Sequence, residues 1–134
     1  MPAKDFFDTN VLIYAVAKND TRASKAEALL ESGGIVSVQS LNESVSVARR
    51  KLDMSWAEVR DFLDIIRTFC PKPVPISLDT HNAAVAIAEK YGYGIYDALI
   101  VAAALEAGCK TLYSEDLQHG QIINRQLTVR NPFR

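Results

Sequence analysis

Short apolar segments with the character of β-strands alternate along this 134-residue chain with longer segments of helical periodicity. The pattern predicts strands at residues 4–7, 35–38, 110–113 and 126–129, and a short edge strand at 74–76 between prolines. It predicts helices over residues 11–17, 21–31, 40–52, 55–69, 79–91 and 97–107. Strands that alternate with helices form a mostly parallel sheet with helices on both faces, so the predicted fold class is α/β.

Two of the predicted helices begin at recognisable capping residues. Ser55 and Glu58 have the spacing of a capping box, and Asp79 is predicted to be the N-cap of the helix over residues 79–91. The helix over residues 55–69 carries an apolar stripe that is predicted to face the core, or alternatively a partner protein. The stripe consists of Trp56, Val59, Phe62, Ile66 and Phe69.

The composition is that of a globular protein, and we expect residues 1–134 to form a single domain. Hydrophobic residues make up 49%, charged residues 23%, and the formal net charge is −1. This charge excludes a strongly basic coat, so any nucleic acid must be held by a local basic patch or through a metal. Asp8 interrupts the N-terminal apolar stretch and the longest apolar run, residues 98–105, is too short to cross a bilayer, so we expect no secretory signal and no membrane association. With two cysteines expected to be reduced, the predicted location is the cytoplasm.

Four carboxylates stand where the chain switches between strand and helix, and position distinguishes them from the other acids among the 16 in the chain. They are Asp8, Glu43, Asp97 and Asp116. Because the carboxyl ends of parallel strands share one edge of the sheet, the acids that follow strands are expected to lie together. Two such charges about 4 Å apart repel by roughly 4 kcal/mol at an effective dielectric of about 20, so a cluster needs a divalent cation. Oxygen ligands favour magnesium, with manganese as the alternative, and the metal favours phosphodiester hydrolysis.

Neighbouring polar residues are expected to support these acids. Thr9 and Asn10 directly follow Asp8 and are predicted to orient its carboxylate. Arg50 lies on the helical face of Glu43, where its guanidinium is predicted to contact substrate phosphates.

Each acid also has a simpler structural explanation. Asp8 and Asp97 stand where helix N-caps are expected, and Glu43 is otherwise a solvent-exposed helix residue. Asp116 is otherwise an ordinary loop acid, and Glu115 is an alternative ligand in its place.

Four motifs follow one another along nearly the whole chain: DTNVLI at residues 8–13, LNE at 41–43, YDALI at 96–100 and YSEDLQHG at 113–120. Together they resemble the motifs of PIN-domain ribonucleases, specifically the VapC-like toxins of toxin–antitoxin pairs. Each motif alone is weak, and the specificity of the resemblance comes from their order and their spread over the chain.

The resemblance implies a three-layer α/β/α sandwich with a mostly parallel central sheet. It also implies divalent-metal ligands at Asp8 and Asp97, support from Glu43 and Asp116, and a role for Ser114 in orienting a ligand or phosphate. The implied activity is metal-dependent cleavage of RNA. The implied assembly is a homodimer with a small antitoxin protein that inserts into the site or covers it.

Two other classes of function remain open from the residues alone. The same acidic pocket suits a structure-specific DNA nuclease or a phosphatase. A non-catalytic module that is stabilised by metal and binds a partner is the third alternative. Substrate profiling and metal-dependent turnover distinguish these classes.

Overall fold

The structure is a computed structural model that describes residues 5–17 and 19–134. In chain order its elements are β1 (Asp5–Phe7), α1 (Thr9–Val16), α2 (Ala23–Glu31), α3 (Val38–Arg50), α4 (Trp56–Phe69), α5 (Leu78–Tyr91), α6 (Ile95–Glu106), β2 (Thr111–Tyr113), β3 (Ile122–Ile123) and β4 (Leu127–Arg130). The predicted first strand began at Lys4, which lies outside the described residues. Within the described ranges, no helix combines the length and the apolar character that crossing a membrane requires.

The sheet has four strands in the order β1-β2-β4-β3. Strands β1 and β4 both pair with β2 in parallel, and β3 pairs with β4 in the antiparallel sense. The predicted mostly parallel sheet is therefore confirmed. Strand β3 was not predicted from the sequence, because two residues are too few to show an alternating pattern.

The predicted strand at residues 35–38 is wrong as a regular strand. Ile35 makes one parallel bridge to β1, and Ser37 makes one to Val74 in the predicted edge strand at 74–76. The segment is extended for too few residues to form a ladder, since Ser37 is already the N-cap of α3. These isolated bridges continue the sheet beyond β1.

Two hydrophobic clusters cover the two faces of the sheet. Phe6 and Phe7 are both fully buried, and their side chains point to opposite faces because successive residues of a strand alternate. Phe6 packs in a cluster with α5 and α6, whereas Phe7 packs in a cluster with residues of α1, α2, α3 and α4. Burying each ring stabilises the fold by about 1.5–3 kcal/mol. The three-layer α/β/α sandwich is confirmed.

Capping boxes mark the N-termini of α3, α4 and α5. In α4, the Glu58 N–H donates to Ser55 Oγ at 3.1 Å and the Ser55 N–H donates to Glu58 Oε1 at 2.9 Å, as predicted. The predicted N-cap of α5 is wrong: Ser77 is the N-cap, and Asp79 lies in the first turn. The Ser77 hydroxyl accepts from the Thr80 N–H at 3.1 Å and starts the helix earlier than predicted.

Trp56 is not part of the core, contrary to the prediction. Its side chain is 54% exposed, and the Arg49 guanidinium carbon lies 4.6 Å from the centre of its ring. Val59, Phe62 and Ile66 are buried as predicted, so the stripe serves the core of this chain. Trp56 differs because it is the first residue of α4 and packs against the end of α3 instead.

Cys70 and Cys109 are both free and buried. Burial raises the pKa of each thiol to about 11, so both are protonated at neutral pH. They behave as small hydrophobic residues, which agrees with the prediction of reduced cysteines.

Gly34 is required by the close approach of Phe7. A Cβ at Gly34 would lie 2.6 Å from Phe7 Cε2 and 3.0 Å from the carbonyl oxygen of Asp5. Gly34→Ala should therefore lower the free energy of unfolding by about 1–3 kcal/mol, because the buried ring has no room to move. Urea denaturation measures this change. Gly94→Ala is the matched control, because a Cβ there meets nothing within 4 Å, and an equal loss in both variants would refute the explanation.

Candidate active site

Asp8 is the residue at which β1 ends and α1 begins. Its Oδ1 accepts a hydrogen bond from the Thr9 N–H at 2.7 Å, which makes it the N-cap of α1. Its Oδ2 accepts from the Ser114 hydroxyl at 2.8 Å, and the side chain is only 5% exposed. Asp8 is therefore a helix cap and also a buried carboxylate that a second segment of the chain holds in place.

Ser114 organises the loop that follows β2. Its fully buried hydroxyl accepts from the N–H of Asp116 at 3.1 Å and from the N–H of Leu117 at 3.4 Å, while donating to Asp8. One hydroxyl thus orients the Asp8 carboxylate and fixes the backbone that carries Asp116. The structure places Ser114 where the resemblance implied an orienting residue.

The two residues after Asp8 contact other acids with their side chains. Thr9 Oγ1 donates to Glu43 Oε1 over a long 3.5 Å, and Asn10 Nδ2 donates to Asp116 Oδ2 at 3.1 Å. The expectation that both side chains orient Asp8 is wrong, because neither side chain donates to Asp8 and Thr9 contacts it through its backbone N–H. The two side chains instead tie α1 to α3 and to the loop after β2.

The four predicted acids line one pocket with a volume of about 330 Å³. Its lining consists of Asp8, Thr9, Asn10, Ile13, Tyr14, Glu43, Val47, Lys51, Asp97 and Asp116. Asp97 reaches the pocket from the first turn of α6, for which Gly94 is the N-cap, so the alternative of Asp97 as a cap is wrong. The fold brings together acids that are spread over more than 100 residues of sequence.

The basic residue that lines the pocket is Lys51, not the predicted Arg50. Arg50 is exposed, and its Nε donates to Ser46 Oγ at 3.1 Å. Glu43, Val47 and Lys51 are spaced i, i+4 and i+8 along one helical face, so this spacing would have identified Lys51. Arg50 lies one residue away from that face.

Sequence reasoning also missed two pocket-wall residues of α1. Ile13 and Tyr14 follow Asn10 at i+3 and i+4, a spacing that places all three on one face of the helix. Tyr14 in turn contacts Glu115 and Arg22, which no local pattern connects to the site.

Burial and mutual repulsion perturb the acids of the pocket. Burial raises the pKa of Asp8 to about 7, the hydrogen bonds from Ser114 and Thr9 lower it, and the charges of Asp116 and Asp97 raise it further. Burial also raises the pKa of Glu43, with an added contribution from the charge of Asp97. The pKa of Asp97 is raised by burial and then by Asp116. The carboxylates therefore interact electrostatically across the pocket.

The chemistry of the pocket fits a hard divalent cation. Carboxylate, amide and hydroxyl oxygens line it, together with one lysine, and no sulfur or imidazole is among the lining groups. Among the residues that the structure describes, no three His, Cys, Asp or Glu side chains are gathered as closely as ligands around an ion. The four carboxylates nevertheless line one pocket, where like charges repel one another in the absence of a cation. Asp8 and Asp97 lie at the N-termini of α1 and α6, where the helix dipole favours negative charge by about 0.3–1 kcal/mol each.

The fold and the pocket define an α/β/α domain with an acidic cluster at the carboxyl edge of a mostly parallel sheet. The family model of the PIN domain matches residues 6–122, and the chain belongs to the PIN-domain family. The resemblance seen in the sequence motifs is therefore confirmed. No curated protein matches the chain significantly.

Solved structures with the same fold include proteins of toxin–antitoxin systems. A toxin–antitoxin complex from Klebsiella pneumoniae aligns with a TM-score of 0.71 and 22% identity over 96% of this chain and 97% of that chain. VapC20 of Mycobacterium tuberculosis, a sarcin–ricin loop cleaving toxin, aligns with a TM-score of 0.67 and 18% identity over 84% and 89% of the two chains. VapBC2 from Rickettsia felis, bound to a promoter DNA fragment, aligns with a TM-score of 0.66 and 20% identity over 95% and 98%. At these identities the similarity shows the fold.

The raised pKa of Asp8 predicts how the stability of the metal-free protein depends on pH. The pKa of about 7 in the folded protein lies above the usual aspartate value of 3.8, so the folded state binds the proton more tightly than the unfolded state. The stability that this tighter proton binding gives the folded protein is fully present below pH 3.8 and is lost as the pH rises through about 7. Asn at this position does not ionise, so the stability of Asp8→Asn relative to the wild type should rise by about 1–3 kcal/mol between pH 5 and pH 8.

Urea denaturation in the presence of a chelator at the two pH values measures this difference. Asp64→Asn, at an exposed position of α4, is the matched control and should follow the wild type at both pH values. A stability difference between Asp8→Asn and wild type that is the same at pH 5 and pH 8 would contradict the raised pKa of Asp8.

Proposed function

We propose that this chain is a metal-dependent endoribonuclease that hydrolyses RNA phosphodiester bonds and acts as the toxin of a toxin–antitoxin pair. The observation that carries the proposal is the convergence of Asp8, Glu43, Asp97 and Asp116 on one pocket that also holds Lys51. Membership in the PIN-domain family supports a nuclease. The similarity in fold to toxin–antitoxin proteins supports a toxin.

The acids have distinct proposed roles. Asp8 and Asp97 hold magnesium, or manganese in its place. Glu43 on α3 and Asp116 in the loop after β2 add further negative charge around the ion. When bound, such an ion polarises a phosphoryl oxygen and lowers the pKa of a coordinated water. Because Asp8 has a pKa of about 7, it is partly protonated near neutral pH and must release this proton to act as a ligand.

Lys51 is proposed to contact the phosphate backbone at the rim of the pocket. Lys51 is an exposed residue and lines the same cavity as the acids. Since the net charge of the chain is only −1, attraction for RNA must come from such local cations and from the bound ion. RNA as substrate is supported by VapC20, a sarcin–ricin loop cleaving toxin with the same fold.

The proposed partners are a small antitoxin protein and a second copy of the chain, in the cytoplasm. The similar structure from Klebsiella pneumoniae is a toxin–antitoxin complex, which supports an antitoxin that covers the pocket. We further propose that residues 1–134 act as a single nuclease domain, since the PIN-domain match takes in residues 6–122.

Removing either proposed metal ligand should abolish cleavage. Asp8→Asn and Asp97→Asn should each lower the turnover of an RNA substrate by about 100-fold or more, because the metal supplies several kcal/mol of transition-state stabilisation. Cleavage assays with magnesium or manganese, and with a chelator, measure the loss, and circular dichroism checks folding. Asp61→Asn, exposed on α4, is the matched control.

The outcomes distinguish the alternatives. Undiminished RNA cleavage by either folded variant would exclude the assigned ligand role. Faster cleavage of single-stranded DNA or of a simple phosphoester than of RNA would favour the DNA nuclease or the phosphatase. An absence of metal-dependent turnover by partner-free wild type would favour the binding module.

Lys51 and Arg50 form a matched pair for testing the substrate contact. Lys51→Ala should raise KM for RNA by about 10-fold, because it removes a charged hydrogen bond to phosphate. Arg50→Ala should change KM by less than about 2-fold, since its side chain lies outside the pocket and an exposed charge contributes little. Steady-state kinetics at one salt concentration measure both, and a larger effect of Arg50→Ala would contradict the assignment.

A further inference from the structure

A network of polar contacts surrounds Arg22 next to the acidic pocket. The Arg22 guanidinium binds Asp20 through two parallel contacts, Nε to Oδ1 at 2.9 Å and Nη2 to Oδ2 at 2.8 Å. Its Nη1 donates to Glu115 Oε1 at 2.9 Å and to the Tyr14 hydroxyl at 2.8 Å. The guanidinium carbon also lies 3.8 Å from the centre of the Tyr14 ring. Both edges of the guanidinium are thus fixed by specific partners.

Glu115 is held by this network at both carboxylate oxygens. Besides the contact of Oε1 with Arg22, Oε2 accepts from the Tyr14 hydroxyl at 2.5 Å and from Arg22 Nη1 at 3.2 Å. The side chain of Glu115 is 26% exposed and is not among the groups that line the pocket. Its carboxylate is therefore turned away from the cavity and neutralised there.

The next residue, Asp116, has the opposite orientation. Its side chain lines the pocket and its Oδ2 accepts from Asn10 Nδ2, while Asn10 Oδ1 accepts from the Glu115 N–H at 3.4 Å. Two successive carboxylates of one loop thus have separate sets of partners. Arg22 and Tyr14 hold the first, and Asn10 holds the second.

Two adjacent acids beside a cation site compete for the ion unless one is restrained. A site that binds a divalent cation through oxygen ligands gains affinity for the cation as the number of carboxylates increases. A released Glu115 would therefore raise the affinity for the ion and change its coordination. A changed coordination alters the geometry on which turnover depends.

We propose that Arg22, together with Tyr14, is a positioning residue that holds the Glu115 carboxylate out of the metal pocket and leaves Asp116 as the loop acid facing the ion. The inference rests on the proposed metal-dependent function. Tyr14 separates the two acids, because it forms part of the pocket wall and donates its hydroxyl to Glu115.

A double-mutant cycle tests this role with manganese as the probe. Calorimetric titration of Mn²⁺ into the metal-free full chain compares wild type, Arg22→Ala, Glu115→Gln and the double variant. Arg22→Ala should bind Mn²⁺ more tightly by about 3- to 10-fold, because it leaves one more carboxylate charge near the ion. Its kcat for RNA should fall by about 10-fold, as expected for a lost outer contact of a metal site.

Tighter binding with slower turnover is the signature of a competing ligand. Glu115→Gln in the Arg22→Ala background should return both the Mn²⁺ affinity and kcat towards wild type, because the amide does not compete for the ion. Tyr14→Phe, which keeps the ring, should change both quantities in the same directions to a smaller extent, and it serves if Arg22→Ala is unstable. Arg60→Ala, at an exposed position of α4, is the matched control.

Other outcomes would overturn the inference. Weaker Mn²⁺ binding together with a lower urea midpoint, unrelieved by Glu115→Gln, would give Arg22 a purely structural role. Unchanged Mn²⁺ affinity in both Arg22→Ala and Tyr14→Phe would also exclude it. If the Mn²⁺ affinities of the four proteins change as expected but wild type cleaves no RNA, the proposed activity fails while the effect of Arg22 on the metal pocket stands.

Discussion

The parallel pairing of β1 with β2 places the buried carboxylate of Asp8 beside the hydroxyl of Ser114. In this register Phe7 is paired with Tyr113, and the Asp8 N–H donates to the Tyr113 carbonyl at 3.0 Å. The residues that follow the two strands therefore lie side by side, although 106 positions separate them in the chain. A shift of the register by one residue would move both side chains and remove the hydrogen bond. The positions of the other acids depend on this pairing, since the Ser114 hydroxyl also fixes the backbone of the loop that carries Asp116.

The acidic pocket lowers the stability of the folded protein at neutral pH in the absence of a cation. Carboxylates that are buried and near one another have raised pKa values, which means that the fold resists their ionisation at neutral pH. The hydrophobic clusters on the two faces of the sheet provide stability that offsets this cost. Asp8 is the most deeply buried of the four acids, and its pKa is raised to about 7.

Much of the fold and the acidic residues of the site could be predicted from the sequence, because both are encoded in local patterns. The α/β alternation gave the layers, and the acids at strand ends gave Asp8 and Asp116. Residues whose orientation depends on one position or on a distant partner could not be predicted. Lys51 lines the pocket instead of Arg50 because of a difference of one residue along α3. The contact between Arg22 and Glu115 joins positions 93 residues apart, and no periodicity indicates it.

Helix ends and surface aromatics were predicted less well for a related reason. Several residues near a helix start have the chemistry of an N-cap, and only the backbone decides which is used, as for Ser77 in place of Asp79. Trp56 has the spacing of a core residue but lies on the first turn of α4, where it packs on Arg49 instead. In both cases the local pattern identified the element correctly, and the tertiary structure determined the role of the individual side chain.

The most direct test of the acidic pocket is the position of a bound ion. Crystals grown with manganese and measured at a wavelength where manganese scatters anomalously would locate it without reference to activity. We expect an anomalous peak within coordination distance of the carboxylates of both Asp8 and Asp97. A well-occupied peak elsewhere on the surface, with these two side chains free of any ion at saturating manganese, would contradict a metal centre at this edge of the sheet.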